Sequence, residues 1–128
     1  MLKSRKRNLI AGITALCLTV GIGISAAAAS YSESFTLNGV NTFKSTKTSS
    51  LWYFNTGKAN FGVNVSGGNV NVKFKKVIEW WPDSTVASGS NISSSTTYSN
   101  VNVVDSAGYY AEITRASNSP YGSVTGQQ

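Results

Sequence analysis

The chain has 128 residues, a formal net charge of +6 and no histidine. Four of its eleven basic residues (Lys3, Arg5, Lys6 and Arg7) sit at the start, so residues 30–128 carry seven basic minus five acidic groups, a net +2. That is too little for a phosphate-facing patch and excludes nucleic acid as the expected partner. A single cysteine, Cys17, excludes a disulfide-stapled mini-protein.

The basic cluster runs into an apolar stretch over 9–24 and then Ser25-Ala26-Ala27-Ala28-Ala29-Ser30. This order predicts a secretory signal peptide, residues 1–29, cleaved after Ala29. The rival is a retained anchor, since ~20 apolar residues can span a bilayer. Against it, Ser30-Tyr31-Ser32-Glu33 brings no stop-transfer basic residues. Cys17 lies in mid-run behind Leu16, not at its end, which reads against a lipoprotein. Residues 30–128 are therefore expected to be one secreted extracellular domain, with no membrane anchor once the leader is removed. The long basic leader and the lack of disulfides point to a Gram-positive bacterium. Ninety-nine residues suffice for one core, burying about two-thirds of the unfolded surface.

Val, Thr, Tyr, Phe, Ser, Asn and Gly dominate after the leader, a bias of strands and turns. Alternation predicts short strands at 34–37, ended by Asn38-Gly39, at 40–44 and at 51–54, closed by Asn55-Thr56-Gly57. Phe61, Val63 and Val65 then share one face, with Asn60, Gly62 and Asn64 opposite. Ser66-Gly67-Gly68-Asn69 reads as a tight hairpin turn. In the next strand Val70, Val72 and Phe74 point inward and Asn71, Lys73 and Lys75 outward. The phase slips at Lys75-Lys76, where a β-bulge is expected. Residues 84–99 read as a weak strand and a long loop. A strand over 98–104 aligns Val101 and Val103, and Asp105-Ser106-Ala107-Gly108 turns the chain. In the strand over 109–115, Tyr109, Ala111 and Ile113 face inward. Asn118-Ser119-Pro120 is a further turn before a terminal strand at 121–125. The reading is all-β: a single antiparallel β-sandwich, jelly-roll-like or a partly closed barrel, of about seven to nine short strands.

Asn69-Val70-Asn71-Val72-Lys73-Phe74, Ala87-Ser88-Gly89-Ser90-Asn91 and Ala107-Gly108-Tyr109-Tyr110-Ala111-Glu112-Ile113 resemble the prepeptidase-type C-terminal β-sandwich domains of bacterial extracellular enzymes. The resemblance covers roughly half of the chain after the leader. It implies a sandwich fold and a non-catalytic role.

Reactive groups are sparse. Without His or Cys after the leader, no nucleophilic triad and no usual zinc ligand set can form. No S-x-x-K pattern supports a Ser-Lys pair, and no D-x-D cluster offers a calcium cage. Glu79 and Asp83 are the one close carboxylate pair, and they read as a charged loop rim rather than a glycosidase pair. The chain is expected to be no enzyme and to need no metal or cofactor.

Aromatic residues carry the functional signal. Trp52-Tyr53-Phe54, Trp80-Trp81 and Tyr109-Tyr110 are adjacent, so in strands at least one of each group should face outward. Exposed aromatics stack on sugar rings or enter a membrane interface. Trp80, Trp81, Lys73, Lys75 and Lys76 are the candidate ligand-binding residues. For Lys73 and Lys75 the competing role is protection of a sheet edge. The favoured function is binding to a cell-wall polymer, an extracellular glycan or an anionic surface. The alternatives are an antibacterial protein (a bacteriocin or toxin) acting at a target membrane, and an extracellular matrix or coat component.

Overall fold

In the computed structural model, residues 29–128 are described; the expected signal peptide, apart from Ala29, lies outside them. Six strands follow in order: β1 (Ser30–Thr36), β2 (Phe43–Ser45), β3 (Gly57–Lys76), β4 (Ser84–Ile92), β5 (Thr96–Val103) and β6 (Tyr109–Gln127). One 3-10 turn, Thr46–Thr48, follows β2. All pairings are antiparallel. β3 and β6 pair along nearly their whole lengths, from Asn60↔Gln127 to Lys76↔Tyr109.

A straight 20-residue strand would be far too long for so small a domain. Phe61 and Phe74 lie on β3 itself, and a straight strand would set them about 43 Å apart. Their ring centroids are instead 5.1 Å apart. The β3–β6 ribbon therefore folds over on itself, and its two halves face each other. The first half of β3 pairs with the second half of β6, flanked by β1 and β5. The second half of β3 pairs with the first half of β6, flanked by β2 and β4. The result is an all-β sandwich made from one continuous antiparallel sheet. Among the described residues, no pairing joins the β1/β2 edge to the β4/β5 edge, so the barrel stays open.

The fold-over sits where two turns were expected. Ser66-Gly67-Gly68-Asn69 and Asn118-Ser119-Pro120 are not turns but facing bends inside β3 and β6, paired as Ser66↔Tyr121, Gly68↔Asn118 and Asn69↔Ser117. Register shifts flank the Gly68 and Asn69 pairs, and strands that change layer commonly do so through such bulges. Gly67 and Asn118 take positive φ, 76° and 55°. Gly68 is required for a different reason: a Cβ there would lie 2.4 Å from the Ser117 carbonyl oxygen. The bend also switches parity. Phe61, Val63 and Val65 are buried before it, and Val70, Val72 and Phe74 after it, so both halves keep their apolar face inside.

Counting each long strand as two gives eight segments, within the expected range. The outer strands follow the same bend. Leu37 N–H donates to Pro120 O and Arg115 N–H to Thr42 O, both at 2.8 Å, so the β1–β2 edge wraps around β6. Between these, Asn38 Oδ1 accepts from the backbone of Val40 and Asn41, forming the expected turn. Residues 51–54 do not form the expected strand. Trp52 makes one bridge to Tyr109, and its ring enters the core with Phe54.

The supposed loop within 84–99 is two strands joined at 93–95. Each carries a bulge with asparagine at positive φ, Asn91 in β4 and Asn100 in β5. The two are built alike. Asn71 Oδ1 accepts from Asn91 N–H at 2.8 Å, and Asn60 Oδ1 accepts from Asn100 N–H at 3.0 Å. Ser90-Asn91-Ile92 and Ser99-Asn100-Val101 are thus one device used twice, because asparagine tolerates the left-handed region. The bulge expected at Lys75-Lys76 is not in β3: Phe74 pairs with Ala87 and Lys75 with Thr85, so the extra residue is Val86 on β4, while β3 keeps an unbroken register against β6 through Lys76.

The bend makes the sharpest demand on sequence. Gly68→Ala should cost about 1–3 kcal/mol, the usual penalty for overpacking. That is a fall in Tm of about 4–8 °C per kcal/mol for a domain of this size. Thermal unfolding followed by near-ultraviolet circular dichroism measures it, and an unchanged Tm would show that the bend relaxes freely.

Candidate functional site

Large apolar side chains are mostly inside, where Tyr31, Trp52, Phe54, Phe61, Phe74, Tyr98 and Tyr109 form one network of ring contacts. Val40, Phe43, Tyr53 and Tyr121 are exposed, and the two most exposed rings lie in residues 77–83, between β3 and β4. Trp80 is 90% exposed and Trp81 74%. Both indoles point away from the core because neither lies in a strand, so the alternation rule does not govern them.

This loop is short and firmly held. Val77 N–H donates to Gly108 O at 2.9 Å, and Trp81 N–H closes a turn on Ile78 O at 3.4 Å. Asp83 holds the remainder. Its Oδ1 accepts from Ile78 N–H at 3.0 Å, and its Oδ2 accepts from Tyr110 Oη–H at 2.7 Å. Lys47 Nζ, from the 3-10 turn, reaches the same Oδ2 at 2.8 Å and lies 5.2 Å from the centre of the Tyr110 ring. Pro82 fixes a further backbone angle between Trp81 and Asp83.

Those contacts explain the local ionisation. The Lys47 and Tyr110 hydrogen bonds hold the Asp83 carboxyl below its ordinary 3.8, at about 2. Burial, with Asp83 beside it, pushes the Tyr110 hydroxyl up. Burial alone raises Tyr98. Tyr110 also resolves the aromatic pairs. Tyr109 is in the core and Tyr110 on the outer face, yet Tyr110 is buried too, held through Asp83 against the 77–83 loop. In the Trp52-Tyr53-Phe54 group only Tyr53 is exposed, although the segment is not a strand.

Within the turn, Trp80 has φ 70°. That region is disfavoured for a bulky side chain, and glycine or asparagine is the usual occupant. A tryptophan there carries backbone strain with no compensating burial. Strain of this kind is characteristic of sites where a side chain must be displayed.

The lysines are only partly brought together with this loop. Lys73 and Lys75 point outward on β3, where Lys75 is the cross-strand partner of Tyr110 and so neighbours the Asp83 anchor. Lys76 has the parity of Tyr109 and belongs to the opposite face. β3 is central in the sheet, paired on both sides. Lys73 and Lys75 therefore protect no edge, which removes the role set against ligand binding. Glu112 offsets one of these two charges: it is the cross-strand partner of Lys73, and its Oε1 lies 3.7 Å from Lys75 Nζ. Lys47 and Asp83, which sequence reading passed over as a ligand-site support, prove to be the parts that fix the loop. Their spacing of 36 residues left no local signal.

No group of three or more His, Cys, Asp or Glu side chains gathers among the described residues. No family model and no curated protein matches the chain. The crystal structure of Yersinia pseudotuberculosis-derived mitogen is similar at a TM-score of 0.45 and 9% identity, covering 80% of this chain and 85% of that one. A likeness so distant carries nothing about function.

Two measurements probe the loop. Because the folded Asp83 carboxyl titrates below its ordinary value, its contribution is complete above about pH 4 and is lost as pH falls towards 2. The stability gap between the wild type and Asp83→Asn should therefore close over that window in denaturant titrations. A gap that stays constant would show that Asp83 acts without its charge. Trp80→Asn should raise stability by about 1 kcal/mol by relieving the left-handed φ. A drop in the denaturant midpoint would mean that the indole makes a stabilising contact.

Proposed function

We propose that this protein is a secreted, non-catalytic binding module that engages a cell-wall or other extracellular glycan through the 77–83 loop. The observation that carries the reading is the pairing of display with rigidity. Trp80 and Trp81 are almost fully exposed, on a turn that Asp83, Lys47 and Tyr110 lock to the sandwich. An indole left in water loses burial that most core-forming residues gain, so its presence on a fixed turn calls for a partner. A sugar ring offers one, because its C–H face packs on an indole while its rim of hydroxyls stays hydrated. The fixed turn lowers the ordering cost that binding would otherwise carry.

Insertion into a membrane suits this loop less well. Glu79, next to Trp80, is exposed, and its carboxylate would have to leave water with the indoles. The secretory pattern read in residues 1–29 supports this reading, because export would bring the domain to such glycans.

The test is depletion of the purified protein from solution by insoluble cell-wall material. The wild type should be depleted, and Trp81→Ala should remain soluble with an unchanged circular dichroism spectrum. Equal depletion of both proteins would remove the tryptophan loop from the interaction. Capture by lipid vesicles without capture by walls would favour the membrane-active alternative.

A further inference from the structure

Resting on that reading for what the loop does, we infer that Thr46 is the positioning residue of the 77–83 loop, its hydroxyl placing Lys47 and Tyr110 on one Asp83 oxygen. Thr46 is 0% exposed although it is polar. Its Oγ1 accepts from Ala111 N–H at 2.9 Å. The register Phe43↔Thr114, Lys44↔Ile113, Ser45↔Glu112 would next set Thr46 against Ala111. Arg115 N–H donates to Thr42 O, and alternate pairs of an antiparallel ladder exchange such bonds. A continued ladder would therefore give the Ala111 N–H to the Thr46 carbonyl. The Thr46 side chain takes it instead. The carbonyl is thereby released to accept from Ser49 N–H at 3.1 Å and Ser50 N–H at 3.2 Å, which closes the 3-10 turn. One hydroxyl thus ends β2 and starts the turn without leaving a buried donor unpaired.

The chain neighbours of this bond are the two groups that hold Asp83. Lys47 follows Thr46, and Tyr110 precedes Ala111. From those positions Lys47 Nζ and Tyr110 Oη both reach Asp83 Oδ2, at 2.8 and 2.7 Å. The Lys47 N–H is itself set by Ser45 Oγ, which accepts it at 3.3 Å. Asp83 then carries the constraint into the loop, because its Oδ1 accepts from Ile78 N–H. Without the Thr46 hydroxyl the Ala111 N–H would be buried and unsatisfied, a costly state that the backbone relieves by moving. Returning the Thr46 carbonyl to Ala111 would open the 3-10 turn and draw Lys47 away from Asp83. A half-exposed lysine on a loose turn contributes little to an ion pair. Thr46 thus acts on the tryptophans through Lys47, Tyr110 and Asp83.

The experiment compares Thr46→Val, which keeps the shape and removes the acceptor, with Thr46→Ser, which keeps the hydroxyl. An NMR titration reads the Asp83 carboxyl, which titrates at about 2 in the wild type. In Thr46→Val it should move up towards the ordinary 3.8, and in Thr46→Ser it should stay low. Binding to insoluble cell walls should weaken about three- to tenfold in Thr46→Val, the ordering cost of one or two freed side chains, and recover in Thr46→Ser. A Thr46→Val protein that melts lower yet keeps the wild-type Asp83 titration would overturn the inference, since a merely structural threonine leaves the lock alone. A moved titration with undiminished wall binding would overturn it too. Thr46→Ala repeats the comparison if Thr46→Val does not fold. A wild type that walls fail to deplete would sink the glycan reading, and the titration would still decide whether Thr46 sets the lock.

Discussion

The antiparallel pairing of β3 with β6 through a shared bend is the constraint on which the rest depends. Two long strands that stayed straight would form a ribbon with one apolar face open to water. Folding the ribbon sets Phe61 against Phe74 and closes that face on itself. Both strands must bend at the same level, and they do so with different chemistry. β3 uses adjacent glycines, one for its φ and one for close approach, whereas β6 uses Asn118 and a buried Pro120. Because the backbone ladder continues through the corner, hydrogen bonding is kept where a loop would have given it up. The flanking strands need only follow the ribbon, and each breaks at the corner into two short pieces.

A core built this way is thin and must be filled from few positions. Aromatic rings do so, with Trp52 entering from a segment that has almost no ladder of its own. Gly126 shows how tightly. A Cβ there would lie 2.7 Å from the Trp52 ring and 2.9 Å from Phe54. The segment carrying these rings is fastened at the chain's other end, where the Gln128 side-chain amide bonds both N–H and C=O of Asn55. Aromatic packing of this extent suits a domain with neither disulfides nor many leucines.

Much of this was legible in residue patterns, and the misses have physical causes. Inward and outward faces of β3 were readable because Val and Phe alternate with Asn and Lys without interruption on each side of the bend. Gly67-Gly68 misled because positive φ serves a hairpin turn and a paired bend equally well. The parity change between Val65 and Val70 fits either geometry. What separates the two is the partner strand, and that is a long-range fact. Residues 84–99 read as a weak strand and a long loop because a Ser/Thr/Asn-rich run carries little alternation, and Asn91 breaks it at the β4 bulge. Asn100, at the β5 bulge, falls inside the strand read over 98–104. Their shared Ser-Asn-aliphatic pattern was the available signal. Trp80 and Trp81 stood out in the sequence, but their support by Lys47, Asp83 and Tyr110 depends on three separate elements meeting. The placement of Glu112 across from Lys73 and beside Lys75 depends likewise on strand register.

Strain at Trp80 and the lock at Asp83 belong to a single argument. A turn with a bulky residue at φ 70° would relax if its ends were free, since the cost of the left-handed region exceeds thermal energy. Here the ends are held: Val77 is tied to Gly108, and Asp83 to both Tyr110 and Lys47. The hydrogen bonds at the base therefore stabilise a conformation that the tip disfavours. If the loop served only to connect β3 to β4, glycine or asparagine at position 80 would make the same turn without strain. The lock would then have nothing to oppose. Under the proposed function, tryptophan at that position, beside a second exposed tryptophan, gives a surface already shaped before any ligand arrives.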